Sequence, residues 1–235
     1  MSLSSGLRHA SRPVTRPSTR SEATRVATAW LVIAILSFIG FAVLTYVLSA
    51  HVVIPGDKEL LNTAVSWTGG TIVWAIFSEL GNYPMVPTGF GLVVWLLFKK
   101  RRREALLVII LFAVATGGSE LAKALVARDR PLGSAPGIPG SVYSYPSGHA
   151  LEDVMILGMV ALTLWRRQHA MWVKLGFAIL SAIFVTLVAV SRVALDLHYP
   201  SDILGGLFFG FGILGLYAWW TRPGARADKP PLWGT

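Results

Sequence analysis

The chain has 235 residues, of which 54% are hydrophobic and only 14% charged, with a mean hydropathy of +0.59. These values exclude an ordinary soluble domain, and the apolar residues fall in runs long enough to cross a hydrocarbon core of ~30 Å at about 20 residues per helix. A net charge of +9 raises the question of nucleic acid, but the basic residues lie in short clusters between apolar runs, the pattern of the positive-inside rule.

Residues 1–26 are rich in Ser, Thr, Arg and Pro and carry little to bury, so they read as a flexible basic cytoplasmic tail. Hydropathy then predicts an all-α, polytopic membrane protein with six spans at 27–48, 83–98, 104–126, 148–165, 173–192 and 202–220. The first run is longer than the apolar core of a signal peptide and reads as an uncleaved span. Between the first two spans, residues 58–82 show a helical apolar period broken at Gly69-Gly70, which predicts short interfacial helices in the first outer loop. Trp67 and Trp74 would anchor them, and a lipid-facing lid is the functional alternative. The last span carries Gly205, Gly206, Gly210, Gly212 and Gly215, a pattern for close packing within the monomer rather than for dimerisation.

An even number of spans places both termini on one side. Arg8, Arg12, Arg16, Arg20 and Arg25, the 99–103 cluster, Arg166, Arg167 and Lys174, and the 221–235 tail with Arg222, Arg226 and Lys229 then all face the cytoplasm. Contact of these clusters with anionic headgroups stays open. No cysteine is present, which excludes a disulfide framework and a thiolate metal site.

The two remaining outer segments, 127–147 and 193–201, are bordered by unusual polar residues. Lys123 ends the third span and Arg130 opens the loop after it. Ser147, Gly148 and His149 open the fourth span, Arg192 ends the fifth, and His198 with Asp202 opens the sixth. Snorkelling explains any one such charge at a span end, but not three cations and two imidazoles converging on the side where positive residues are sparse. The set calls for an anionic partner. A helix N-terminus at Ser147–His149 offers free N–H groups and a positive dipole, and Gly148 lets the backbone approach phosphate oxygens closely. Arg130 and Arg192 supply forked donors and Lys123 a point charge. His198 and Asp202 are four residues apart, so the carboxylate can hold one imidazole nitrogen protonated and free the other as a nucleophile, while His149 protonates the leaving oxygen. A divalent ion on His149, His198, Asp202 and Asp129 is the alternative, weakened by the three cations that would repel it. Glu120, Glu152 and Asp153 stand near the same span ends and are expected to pair with Lys123 or the arginines.

Taken in order, Lys123-x6-Arg130-Pro131, then Pro146-Ser147-Gly148-His149, then Ser191-Arg192-x5-His198-x3-Asp202 resembles the complete three-part signature of the type-2 phosphatidic acid phosphatase family. The resemblance implies that Lys123, Arg130, Ser147, Gly148 and Arg192 bind phosphate, that His198 is phosphorylated, that Asp202 orients it, and that His149 is the acid. It also implies a metal-independent reaction without cofactor. The identity of the nucleophilic histidine rests more on this resemblance than on spacing. The soluble haloperoxidases that share the signature are excluded by the six apolar runs.

The expected activity is therefore that of a membrane lipid phosphatase, with a polyprenyl or undecaprenyl pyrophosphate as first substrate and phosphatidylglycerol phosphate or phosphatidate as others. The expected setting is a bacterial plasma membrane with the site on the outer face. A lipid-phosphate transporter or binding protein is the competing class, and it leaves the His198–Asp202 pair without a purpose. The expected partners are a lipid phosphate and the bilayer, not nucleic acid; oligomeric state is not readable.

Overall fold

The computed structural model describes residues 19–68, 72–131, 142–166 and 170–222. Ser18, Gly69-Gly70, Ser141, Arg167, Arg226, Lys229 and the tail arginines up to Arg16 lie outside them, as does the side chain of Trp67. Eight helices follow in chain order: α1 (Thr19–Ser49), α2 (Asp57–Thr68), α3 (Ile72–Leu80), α4 (Met85–Phe98), α5 (Arg102–Val126), α6 (Gly148–Trp165), α7 (Met171–Ala194) and α8 (Pro200–Trp220). Among the described residues there is no strand, only an isolated antiparallel bridge between Asp129 and Tyr143. Six stretches are long and apolar enough to cross a membrane, so the chain is a multi-pass membrane protein.

Two boundaries differ from the hydropathy reading. Helix α1 begins at Thr19, eight residues before the predicted span, in a stretch free of proline up to Ser49. The second span begins well before residue 83. At about 1.5 Å per residue the 14 residues of α4 rise only ~21 Å, and α3 adds the missing length to make an apolar stretch Ile72–Phe98. The chain breaks at 81–84 because Gly81 and Pro84 stand between the two helices. Van der Waals packing adds a second reason at Gly81, where a side chain would collide with Val188 of α7.

Helix α8 is the axis of the bundle. It is the most buried of the spanning helices described, whereas α1 and α7 leave most of their surface exposed. It packs on α1 and α6, and more lightly on α5. Its glycines make this possible. A side chain at Gly206 would run into the carbonyl oxygen of Ser147, and one at Gly210 would meet the Leu151 carbonyl at 2.9 Å. The close packing expected of these glycines is therefore within the monomer, backbone against backbone.

At one end of the bundle, Arg166 meets Glu104 at 3.4 Å and also bonds Thr221, while Tyr217 donates to Glu104 at 3.1 Å. Arg101 pairs with the same carboxylate. This polar knot ties the ends of α5, α6 and α8 together. The other end carries the candidate site.

Candidate active site

Three chain segments meet at this end, and each is fixed by its backbone. Helix α5 stops where Ala127 takes a left-handed conformation (φ 45°) and bonds back to Lys123, which turns Arg128 and Arg130 away from the helix axis. Ser144 N–H donates to the Arg128 carbonyl at 2.8 Å, so the returning strand of the loop is held beside the outgoing one. Tyr145 then plugs into the bundle. Its ring lies over Phe41, its hydroxyl is 2.9 Å from Thr45 Oγ1, and only glycine at 205 leaves room for it. Burial in this slot pushes the Tyr145 hydroxyl up to about 12. Beyond Tyr145, the Ser147 N–H donates to the Asp202 carbonyl at 3.0 Å. That bond, with the bare backbone at Gly206, sets the start of α6 against the start of α8.

The third segment is the turn from α7 to α8. Leu197 and His198 N–H both donate to the Arg192 carbonyl, at 3.1 and 3.2 Å. The turn thus fastens one expected phosphate ligand to the expected nucleophile. His198 and Arg192 are buried, as are Ser147 and Asp202.

The eight residues singled out in the sequence converge here. Arg130 Nη1 donates to the Leu197 carbonyl at 3.1 Å and stands 3.4 Å from His198 Nε2. On the other side of the ring, His198 Nδ1 lies 3.7 Å from Asp202 Oδ2. This is an ion-pair separation rather than a hydrogen bond, and such contacts commonly tighten only in the substrate complex. Burial lowers the His198 imidazole to about 4, with the Arg192 and Arg130 charges acting in the same direction against the pull of Asp202. The ring is therefore neutral at neutral pH, and Asp202 beside Nδ1 favours the tautomer that leaves Nε2 without a proton. His149 lies within electrostatic reach of Arg192, His198, Arg130 and Lys123. Arg192 donates to Ser78 of α3 at 2.5 Å, which brings the start of the second span into the site. Lys123 pairs with exposed Glu120 at 2.6 Å, an interaction weak enough to be exchanged for a bound anion. A side chain at Gly148 would meet no protein atom within 4 Å.

Four buried polar atoms in this cluster have no hydrogen-bond partner: Ser147 Oγ, His149 Nε2, Arg192 Nε and His198 Nδ1. Buried polar groups are nearly always satisfied in native proteins. Donors gathered around two imidazoles match a tetrahedral oxyanion. Among the described residues no group of three or more His, Cys, Asp or Glu side chains is arranged to hold a metal ion.

Sequence reading missed a supporting network. Arg128 donates to Asp202 Oδ1 at 2.8 Å, to Ser201 Oγ at 2.6 Å and to Asp57 Oδ2 at 2.7 Å, and its guanidinium lies 3.9 Å over the Tyr199 ring. Burial alone would lower the Arg128 guanidinium, but Asp202 and Asp57 outweigh it and raise it. Asp57 also accepts the Ser201 N–H at 2.9 Å and the Ser201 hydroxyl at 2.5 Å. A carboxylate from the first loop thus caps the start of α8. Asp202 caps it a second time by accepting the Tyr199 N–H at 2.9 Å. In sequence, Asp57 reads as an ordinary acid in a first helical turn, and 71 positions separate it from Arg128; nothing local signals the pairing. Of the expected pairings, that of Asp153 is electrostatic only: it is fully buried within reach of the Arg192 charge, yet neither carboxyl oxygen has a hydrogen-bond partner. Its position on α6 puts it below the ring of ligands rather than among them. Glu152 lies within electrostatic reach of Lys123.

The sequence profile of the PAP2 superfamily matches residues 103–225, which hold the whole constellation. The chain belongs to the PAP2 superfamily. It is a multi-pass membrane phosphatase of that group. An undecaprenyl-diphosphatase of Sulfolobus acidocaldarius is 30% identical over 154 residues, covering 56% of this chain and 70% of the relative. The phosphatidylglycerophosphatase B of Bacillus subtilis is 24% identical over 186 residues, covering 75% and 88%. The crystal structure of a transmembrane PAP2 type phosphatidylglycerolphosphate phosphatase from Bacillus subtilis superposes with a TM-score of 0.63. It is 23% identical, covers 78% of this chain and 93% of its own, and supports the fold.

Proposed function

We propose that this PAP2 phosphatase hydrolyses a lipid phosphate or diphosphate at the extracytoplasmic face through a phosphohistidine on His198, with a polyprenyl diphosphate as its first substrate. The observation that carries the reading is His198 itself. Its Nε2 faces Arg130 at 3.4 Å while Nδ1 faces Asp202 at 3.7 Å, so the ring is held edge-on between a phosphate ligand and an orienting carboxylate.

In this mechanism Lys123, Arg130, Arg192, the Ser147 hydroxyl and the Gly148 N–H hold the non-bridging oxygens. His198 Nε2 attacks phosphorus as the bond to the leaving oxygen breaks. His149 gives that oxygen its proton. Asp202 stabilises the imidazolium character that develops on His198. In the second half His149 takes a proton from water, which attacks phosphorus and returns His198 to its neutral form. The signature holds only the phosphate; the lipid is proposed from the six-span plan of a small family member and from the undecaprenyl-diphosphatase among the relatives.

Two experiments test the reading. His198→Ala should abolish turnover and acid-labile phosphoenzyme, a loss of at least ~10⁴-fold, whereas His149→Ala should still form phosphoenzyme from a substrate whose leaving group needs no acid. A phosphoenzyme in the His198 variant would transfer the nucleophile elsewhere. For orientation, the cysteine-free chain gives thiol labelling without background. Exposed Val142→Cys at the site end should react with an impermeant maleimide in intact cells, and Lys99→Cys at the other end only after permeabilisation. The reverse order would place the site on the cytoplasmic leaflet.

A further inference from the structure

The end of α3 lies directly on α7. A side chain at Gly81 would come within 2.4 Å of Val188, so here the bare backbone is what packs. One turn further along α7 stands Arg192, and three residues back from Gly81 stands Ser78. The two meet: Arg192 Nη1 donates to Ser78 Oγ at 2.5 Å. Ser78 is the one buried residue of α3, whose other side chains are half-buried or exposed. Packing does not account for this choice. A hydroxyl is costly to bury unless it is hydrogen-bonded, and in an otherwise apolar helix an alanine would fill the same place.

What Ser78 does to Arg192 follows from the shape of a guanidinium. It can grip two oxygens of one phosphate end-on, through Nη1 and Nη2, or side-on, through Nε and Nη2. Ser78 occupies Nη1, which removes the end-on grip. Nε is buried with no hydrogen-bond partner, so the side-on pair is the one left to a ligand. The neutrality of the serine matters as much as its position. Arg128, at the same end of the bundle, is paired with Asp57 and Asp202, and its charge is matched by theirs. A hydroxyl fixes a guanidinium without neutralising it, so Arg192 keeps its charge for an anion. Glu79 and Asp153 lie within electrostatic reach of Arg192. They are not what orients it, since Glu79 is exposed and neither Asp153 oxygen has a hydrogen-bond partner.

We infer that Ser78 is a positioning residue for phosphate binding, which turns the Nε–Nη2 side of Arg192 toward the substrate. The inference rests on the reading of Arg192 as a phosphate ligand. It extends the phosphate site to a residue outside the stretch that matches the PAP2 profile, which begins at 103.

The test uses the full-length protein in detergent, with orthovanadate as a phosphate analogue that needs no lipid. Its inhibition of phosphate release from farnesyl diphosphate reads anion binding during turnover, and the rise it causes in the thermal midpoint reads binding without turnover. Ser78→Ala and Ser78→Val remove the hydroxyl, and each should weaken vanadate by about tenfold or more, the size expected for a hydrogen bond to a charged group. Ser78→Thr has the shape of the valine variant but keeps the hydroxyl, and it should stay within about threefold of wild type. Arg192→Lys lacks the fork and should also weaken vanadate; adding Ser78→Ala to it should then cost less than about twofold more. A serine that serves only the fold would lower the thermal midpoint of the free protein and leave vanadate affinity alone. Wild-type affinity in Ser78→Ala and Ser78→Val, beside a weakened Arg192→Lys, would overturn the inference and leave the phosphate reading intact. So would a Ser78→Ala loss that is equally large whether residue 192 is arginine or lysine. Wild-type affinity in Arg192→Lys would instead overturn the reading of Arg192 as a phosphate ligand, and the inference with it.

Discussion

The chain carries two histidine–aspartate pairs with the same spacing, His198–Asp202 and His149–Asp153, at the start of two neighbouring helices. Only one is built as a unit. Asp202 is held by Arg128, by the Tyr199 N–H and through the shared Arg128–Ser201–Asp57 network, and it faces the imidazole at 3.7 Å. Asp153 has no hydrogen bond to either oxygen and makes no ion pair with His149 within 4 Å. Spacing of four places two side chains on one face of a helix, but the neighbours decide what the carboxylate does. For His198, which precedes its helix, the aspartate is a cap residue turned back toward the turn. For His149, already inside its helix, the aspartate points down the bundle toward Val188 and Gly81.

The sharpest way to break this comparison is to neutralise each aspartate in turn. Asp202→Asn keeps the shape but removes the charge that the proposed mechanism uses to stabilise the His198 imidazolium, and kcat should fall by about 10²–10⁴-fold. Asp153→Asn should cost less than about tenfold with a short-chain substrate, because that carboxyl touches neither histidine. Steady-state kinetics on farnesyl diphosphate read both. Equal losses would mean that the two pairs act alike and that the surroundings of Asp202 are not what distinguishes it.

A second break targets those surroundings. Arg128→Met leaves two buried carboxylates, Asp57 and Asp202, without their shared cation, and removing one partner from a buried ion pair costs about 3–5 kcal/mol. The thermal midpoint should drop accordingly. kcat should fall more than KM rises, since Arg128 positions Asp202 and does not reach the phosphate ligands. Adding Asp57→Asn to Arg128→Met should return part of the stability, because one stranded charge is then gone. A KM effect with unchanged kcat would instead make Arg128 a substrate ligand.

How far the sequence disclosed this arrangement follows from the range of the forces involved. Apolar runs of span length and basic flanks are local signals, and α5 through α8 lie within two residues of their predicted bounds. The eight polar site residues stood at span ends, so fixing the spans brought them to one depth. The parts that stayed hidden depend on contacts between distant segments. Asp57 to Arg128 joins the first loop to the site across 71 positions, and Arg192 to Ser78 joins the start of the second span to it across 114. The second span was read too short because Gly81 and Pro84 interrupt its pattern, so that the apolar stretch Ile72–Phe98 is divided between α3 and α4.

The smallest expected effect sharpens the comparison at the level of a single proton. The His198 imidazole lies at about 4, below its ordinary 6.5, first because it is buried and then because Arg192 and Arg130 repel a second positive charge. A depressed imidazole stays neutral until the pH falls through the lowered value, so the nucleophile proposed for the free enzyme is lost only near pH 4. Arg130→Gln removes a guanidinium that stands 3.4 Å from Nε2 and should raise the imidazole toward 6.5. The acid limb of kcat/KM should then move up in pH relative to wild type. Arg130→Lys keeps the charge and should leave the limb near its original position, although both variants weaken phosphate binding. Because substrate ionisation is common to all three proteins, the difference between their profiles isolates the enzyme's own group. The same sign governs stability: the protons that the unfolded chain takes up between pH 6.5 and 4 are refused by His198 in the fold, so its contribution is full above 6.5 and lost as pH falls through 4. An acid limb that stays fixed in Arg130→Gln would show that Arg130 does not tune this histidine, and that burial and Arg192 alone keep its nitrogen free.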